Sequence, residues 1–273
     1  MTTTTTGPAL RSPRSEFRSV ALPSEHGGWG LTAEPALVGL IVAPSAAGAC
    51  LAGAALTAFL VRTPLKVAAV DRRRHRSLAR TRIAQRVATV ELVALAALVV
   101  TAVLAADAPF WQPLVVAAPL IAVEGWFDIR SRGRRLAPEL AGATAVASVV
   151  AMIVLAGGRN TAFAAAVWLV LAARTVTSIA WVRAQVARLH GHASSARATT
   201  ADLADLAAIA LAATAVIVDR RLIAGAVAVA VVLATQRTWG RTDPPRPVVL
   251  GMRQMALGFG VALVTAVGIV AGG

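Results

Sequence analysis

An all-α, polytopic transmembrane helical bundle of about nine helices is the fold class this sequence predicts, and three observations predict it. Hydrophobic residues make up 57% of the 273, with a mean hydropathy of +0.70, more than one soluble core of this size absorbs. Apolar stretches near the length that crosses about 30 Å of hydrocarbon recur along nearly the whole chain. Cationic residues gather in alternate connections between them. A β-barrel would alternate polar and apolar residues, which this sequence does not, so helices must satisfy the backbone within each segment.

The elements follow in order. Residues 1–21, Thr- and Arg-rich without an apolar h-region, read as a disordered basic cytoplasmic tail and not as a cleavable signal peptide. Residues 22–273 read as a single transmembrane helical domain. Its spans are expected at about 28–45, 47–63, 87–106, 110–127, 139–156, 162–182, 202–218, 221–236 and 249–270. Ala, Gly and Ser in runs such as "AGACLAGAALTAF" allow close helix approach. The single Cys50 lies in that run and offers no disulfide.

The connections alternate between short turns ("APSA", "ADAP", "GGRNT", "VDRR") and longer basic loops. Of 27 Lys and Arg, 21 fall in the tail and four long loops and 2 in the short turns; of the 4 within the span bounds, Arg62, Arg221 and Arg253 stand near span ends and Arg174 lies deep. The positive-inside rule then expects the N-terminus in the cytoplasm and the C-terminus outside. It also explains the formal charge of +14 by membrane orientation and contact with anionic lipid, so no nucleic acid partner is expected.

Several polar residues stand out against this background. In "LPSEHGGWGLTAEPALVGL", Ser24 fits an N-cap and Glu25 the first turn. His26, Gly27, Gly30 and Glu34 fall on one helical face, and Glu34 lies about two turns inside. Glu25, His26 and Glu34 are the candidates for proton transfer, with an interfacial anchor at His26 and Trp29 as the structural alternative. Arg174 sits about nine residues before Arg183, too deep to snorkel easily. A mid-helix cation requires an anionic partner or a wet cavity. Either an ion pair with Glu34, Glu91 or Glu124, or a bound anion, would supply it, and Thr177, Ser178 and Trp181 share its face.

Pro64 is expected to interrupt the second helix between Arg62 and Lys66, with Asp71 beyond. Glu124 and Asp128 share a face at i, i+4, and Arg132 or Arg135 could pair with Asp128. Glu139 suits the first turn of the fifth span. Asp202 and Asp205 suit the start of the seventh, with Thr199 or Thr200 as N-cap. Anion or substrate binding is thus assigned to Arg62, Lys66, Asp71, Glu124, Asp128, Arg174, Ser178 and Arg183. No phosphate loop and no Cys/His cluster with metal spacing occurs, so no metal site is assigned; His190 and His192 at i, i+2 are a weak signal.

The stretches "PSEHGGWGLTAEPALVGL", "FDIRSRGRRLAPELAG" and "RTVTSIAWVRAQVARLHG" resemble the YwiC-like family of bacterial membrane proteins. The resemblance covers most of residues 22–190 and implies a multi-pass protein of the bacterial cytoplasmic membrane. A more distant likeness is to the UbiA superfamily of intramembrane prenyltransferases. It implies nine helices, a cytoplasmic N-terminus and reactive loops after the second and sixth helices, here "RTPLKVAAVD" and "SIAWVRAQVARLHGH". That superfamily binds Mg²⁺ and an isoprenoid diphosphate through two aspartate-rich motifs. Neither motif is present, so Mg²⁺ has no support as a cofactor. The leading expectation is a cytoplasm-facing site for an anionic amphiphile, an isoprenoid diphosphate or a phospholipid, with membrane lipid as partner. A small-solute transporter and a noncatalytic membrane scaffold are the alternatives.

Overall fold

The computed structural model describes residues 17, 20–23, 26–76, 78–130, 133 and 135–272. Ser24, Glu25, Arg132 and most of the tail lie outside the described residues, as does the His26 side chain. The described chain is helical: α1 (His26–Val42), α2 (Ala46–Arg73), α3 (Ala79–Ala105), α4 (Gln112–Ile129), α5 (Leu136–Ala147), α6 (Val149–Ala156), α7 (Thr161–Leu189), α8 (Ser195–Val218), a 3₁₀ turn (Arg220–Leu222), α9 (Ile223–Trp239) and α10 (Pro247–Ala271). Counting α5 with α6 as one, eight helices are long and apolar enough to cross a membrane. The ninth, α1, has 17 residues and at 1.5 Å per residue reaches about 25 Å.

A helix stands at each of the nine expected positions; several bounds shift, α3 starting at Ala79 and α7 ending at Leu189 among them, and three departures have a clear physical reason. The second helix continues through Pro64 to Arg73, because one missing donor is tolerated where neighbouring helices cover the turn. The seventh span starts at Ser195, so Asp202 and Asp205 occupy its second and third turns, with Ser194 rather than Thr199 or Thr200 preceding the helix. The fifth span is broken at Ser148, whose Oγ donates to the Ala145 carbonyl at 2.6 Å. Side-chain competition for a carbonyl of the preceding turn bends the helix there.

Short turns and longer basic loops lie at opposite ends of the bundle. At the short-turn end Ser45 Oγ accepts from the Gly48 N–H at 2.9 Å, and Asn160 Oδ1 accepts from the Phe163 N–H at 2.8 Å, each satisfying an orphan donor of a first helical turn. Asp219 accepts from the Arg221 backbone and guanidinium there, at 3.0 and 2.6 Å. The Arg221 hydrogen bond is the main cause holding the Asp219 carboxyl below its usual range, against opposition from burial. A depressed folded-state value stabilises above the unfolded pKa of about 3.9 and is lost as pH falls through the folded value. Asp219→Asn should therefore lower the melting temperature at neutral pH, and thermal scans should show the difference vanishing in acid.

The core forms around α6 and α7, with Ile153, Val150, Val154, Val167 and Val170 fully enclosed. Glycines set how closely α1 and α2 approach it. A Cβ on Gly39 or Gly48 would lie 2.8 or 2.9 Å from Ile153, so hydrogen is the side chain that fits. Small-residue packing of this kind replaces the hydrophobic drive that lipid removes. At the periphery, α2 and α3 form an antiparallel hairpin whose outer helix packs chiefly on α2.

Candidate functional site

Three polar groups can be built from the sequence upward. The first is central. Glu34 on α1 and Arg174 on α7 are each 3% exposed, with Glu34 Oε1 3.0 Å from Arg174 Nη2. The guanidinium also donates to the Gln254 carbonyl of α10 at 2.6 Å. Of the alternatives open in the sequence, Arg174 has taken a carboxylate partner, and it is Glu34 rather than Glu91 or Glu124. Gly258 on α10 makes the room: a Cβ there would fall well inside contact distance of Glu34 Oε1 and Arg174 Nη2.

The expected face of α7 is intact, since Arg174, Thr177, Ser178 and Trp181 are all buried. It leads toward the basic end. Gln236 on α9 donates from Nε2 to Ser178 Oγ at 3.3 Å and to Gln254 Oε1 at 3.2 Å. Its Oε1 lies 3.0 Å from Thr177 Oγ1. Thr177 donates to Asp205 at 2.5 Å, and Trp181 donates to the Gln236 carbonyl at 2.8 Å. Arg237 closes the row on Asp205 and Asp202, at 2.8 and 2.7 Å. Five helices thus share one polar seam in an otherwise apolar interior. Gln236 and Gln254 were missed from sequence, although an amide inside an apolar span is itself a signal, because it must find a partner across helices.

The second group joins α2 to α4. Arg62 reaches Glu124 at 2.9 Å and Asp128 at 2.7 Å, and Lys66 reaches Asp128 at 3.1 Å. Both pairs are spaced i, i+4, so two charged faces meet as a ladder. The expected pairing of Asp128 with Arg135 is replaced by this one, because α4 turns that face toward α2. Asp71 stands apart. Its buried carboxylate accepts from Arg80 at 3.0 Å and Thr81 at 2.7 Å, closing the α2–α3 turn.

The third group is a cavity of about 770 Å³ at the basic end, between the start of α5, the last turns of α7 and the start of α8. Leu136, Ala180, Val182, Ala184 and Val186 give it an apolar wall, and Arg183 and Arg197 a cationic one with His190 and His192 beside them. Arg183 pairs with Glu139 at 2.8 Å, while Arg197 donates to the His192 carbonyl. Among the described residues no group of three or more His, Cys, Asp or Glu is placed to hold a metal ion. Of the candidates named from sequence, the structure thus brings Glu34 to Arg174, gathers Arg62, Lys66, Glu124 and Asp128, and leaves only Arg183 at the cavity.

Among the described residues, eight long apolar helices and the shorter α1 enclose a buried ion pair, which defines an integral membrane protein of the polytopic helical class. Residues 22–155 match the model of the YwiC-like protein family, so over that region the chain is similar to YwiC-like proteins. The match contains Glu34 and the α2–α4 ladder, whereas Arg174 and the α7 cavity wall lie beyond it. No curated protein and no solved structure matches the chain.

Proposed function

We propose that this protein binds a phosphate-bearing amphiphile at its basic end, in the cavity between α5, α7 and α8. One observation carries this reading: an apolar wall and a cationic wall meet in a space of about 770 Å³, within the range of about 300–1,000 Å³ usual for ligand sites. An apolar chain lies against Ala180, Val182 and Val186, and the headgroup meets Arg183, Arg197 and the two histidines. Guanidinium groups suit phosphate because two parallel N–H donors match two oxygens. The positive-inside bias supports a cytoplasmic position for this end, and the bacterial cell membrane as the location.

The UbiA likeness enters here in part. Of its two expected loops, the one after the sixth span, α7, lines the cavity. The one after α2 is drawn into the α2–α3 turn by Asp71, and Arg62 and Lys66 are turned to Glu124 and Asp128. The anion site, expected to draw on both α2 and α7, is thereby confined to the end of α7, with binding as its activity.

Native mass spectrometry of the full-length protein extracted in mild detergent tests this. Wild type and Arg62→Ala, which lies outside the cavity, should retain the same anionic lipid. Arg183→Ala/Arg197→Ala should lose roughly tenfold of it, about 1.4 kcal/mol of binding. The mass of the retained species distinguishes an isoprenoid phosphate from a phospholipid. Unchanged occupancy in the double variant, or equal loss in Arg62→Ala, overturns the assignment.

A further inference from the structure

Glu91 belongs to none of these groups. It lies near the midpoint of the 27-residue α3, five residues and about 7.5 Å beyond Arg86. It shares the stripe of α3 that faces α2, with Ala84, Ala88 and Ala102 buried on the same side. Its Oε2 is buried and has no hydrogen-bond partner among the described residues. Around it the helix is exposed to the hydrocarbon: Val90 and Val93 are 70% and 65% exposed, and 11% of the apolar window of α3 is buried.

The charges near it are committed elsewhere. The hairpin register follows from Asp71 bonding Thr81 at 2.7 Å and from Gly53, whose added Cβ would lie 3.4 Å from Leu98. That register sets Glu91 level with Leu60 and Val61. Among the charged groups of α2, the one element closely packed on α3, Arg62 and Lys66 are held by Glu124 and Asp128. Asp71 is held by Arg80, and Arg72 and Arg73 end the helix at the basic face. On α3 itself Arg86 is exposed. Ionised, the half-buried carboxylate would leave Oε2 without the donor it needs, whereas a neutral acid needs only an acceptor. Pro64 has no N–H, so the Leu60 carbonyl is without its intrahelical donor and is such an acceptor at the same level.

We infer that Glu91 is an intramembrane proton-binding site, a carboxyl kept in its neutral acid form on the lipid-facing α2–α3 hairpin. The ligand is a proton, exchanged at the basic end a turn and a half away. This site is separate from the α7 cavity, and neither reading depends on the other.

Modification by N,N′-dicyclohexylcarbodiimide tests it on the full-length protein in liposomes. The acid proton goes to a carbodiimide nitrogen while the carboxyl oxygen adds to the central carbon. Acyl migration to nitrogen then leaves a stable N-acylurea carrying the whole reagent. Peptide mapping should find this adduct on Glu91, forming fastest in the acid arm of a pH series. Glu91→Gln should remove it with the melting temperature retained, and a water-soluble carbodiimide should favour Glu139 instead. No adduct on Glu91, or equal labelling by the water-soluble reagent, overturns the inference.

Discussion

Arg174→Ala should be the most damaging single truncation in the bundle, lowering stability by about 3–5 kcal/mol and the melting temperature in detergent by roughly 10 °C. The magnitude comes less from the lost attraction than from what remains. Glu34 is 3% exposed, and removal of its cation leaves a carboxylate enclosed without compensation. The Gln254 carbonyl loses its 2.6 Å donor as well. The double variant Glu34→Gln/Arg174→Met should recover most of the loss, because replacing both charges removes the desolvation penalty together with the attraction. Thermal unfolding of the three proteins in one detergent checks this. A double variant no more stable than Arg174→Ala would show that the pair is not the unit being broken.

Gly258→Ala should destabilise through the same pair without removing either charge. Its Cβ would fall between Glu34 Oε1 and Arg174 Nη2, inside contact distance of both. Neither side chain has open space to move into, since both are buried and Arg174 is tethered to α10. Overpacking alone costs about 1–3 kcal/mol, and separating the pair carries the loss toward that of Arg174→Ala. In a Glu34→Ala background the same methyl enters vacated space, so the two substitutions should couple by about 1 kcal/mol or more. Additive losses in melting temperature would refute the steric account.

The match over residues 22–155 covers only part of this arrangement. The ion pair joins α1, inside the matched region, to α7 and α10, outside it. The proposed cavity likewise takes Glu139 from within and Arg183 and Arg197 from beyond. A search for function in the matched half alone would find Glu34 without its cation.

Much of the molecule could be read from the chain. Apolar length and the alternation of basic loops place the eight long helices and the shorter α1, because hydrocarbon thickness and backbone hydrogen bonding act on each segment separately. The face of α7 carrying Arg174, Thr177, Ser178 and Trp181 is equally local, fixed by 3.6 residues per turn. The reading of Pro64 as a break was not: whether a missing donor ends a helix depends on what packs around the turn. The N-cap of α8 was misplaced because Thr199 and Thr200 are good caps anywhere, and the helix begins a turn earlier at Ser195.

What the sequence by itself determined, then, is which residues cross the membrane, which end of the bundle is basic, and that Arg174 requires a counterpart. Only the tertiary structure decided that the counterpart is Glu34, that Arg62 and Lys66 face α4, and that the open cavity adjoins α7. The physical reason is range. Spans and helical faces follow from interactions within a few turns of one segment, whereas an ion pair between residues 140 positions apart is chosen by how helices rotate and pack. A single small residue such as Gly258 can decide that.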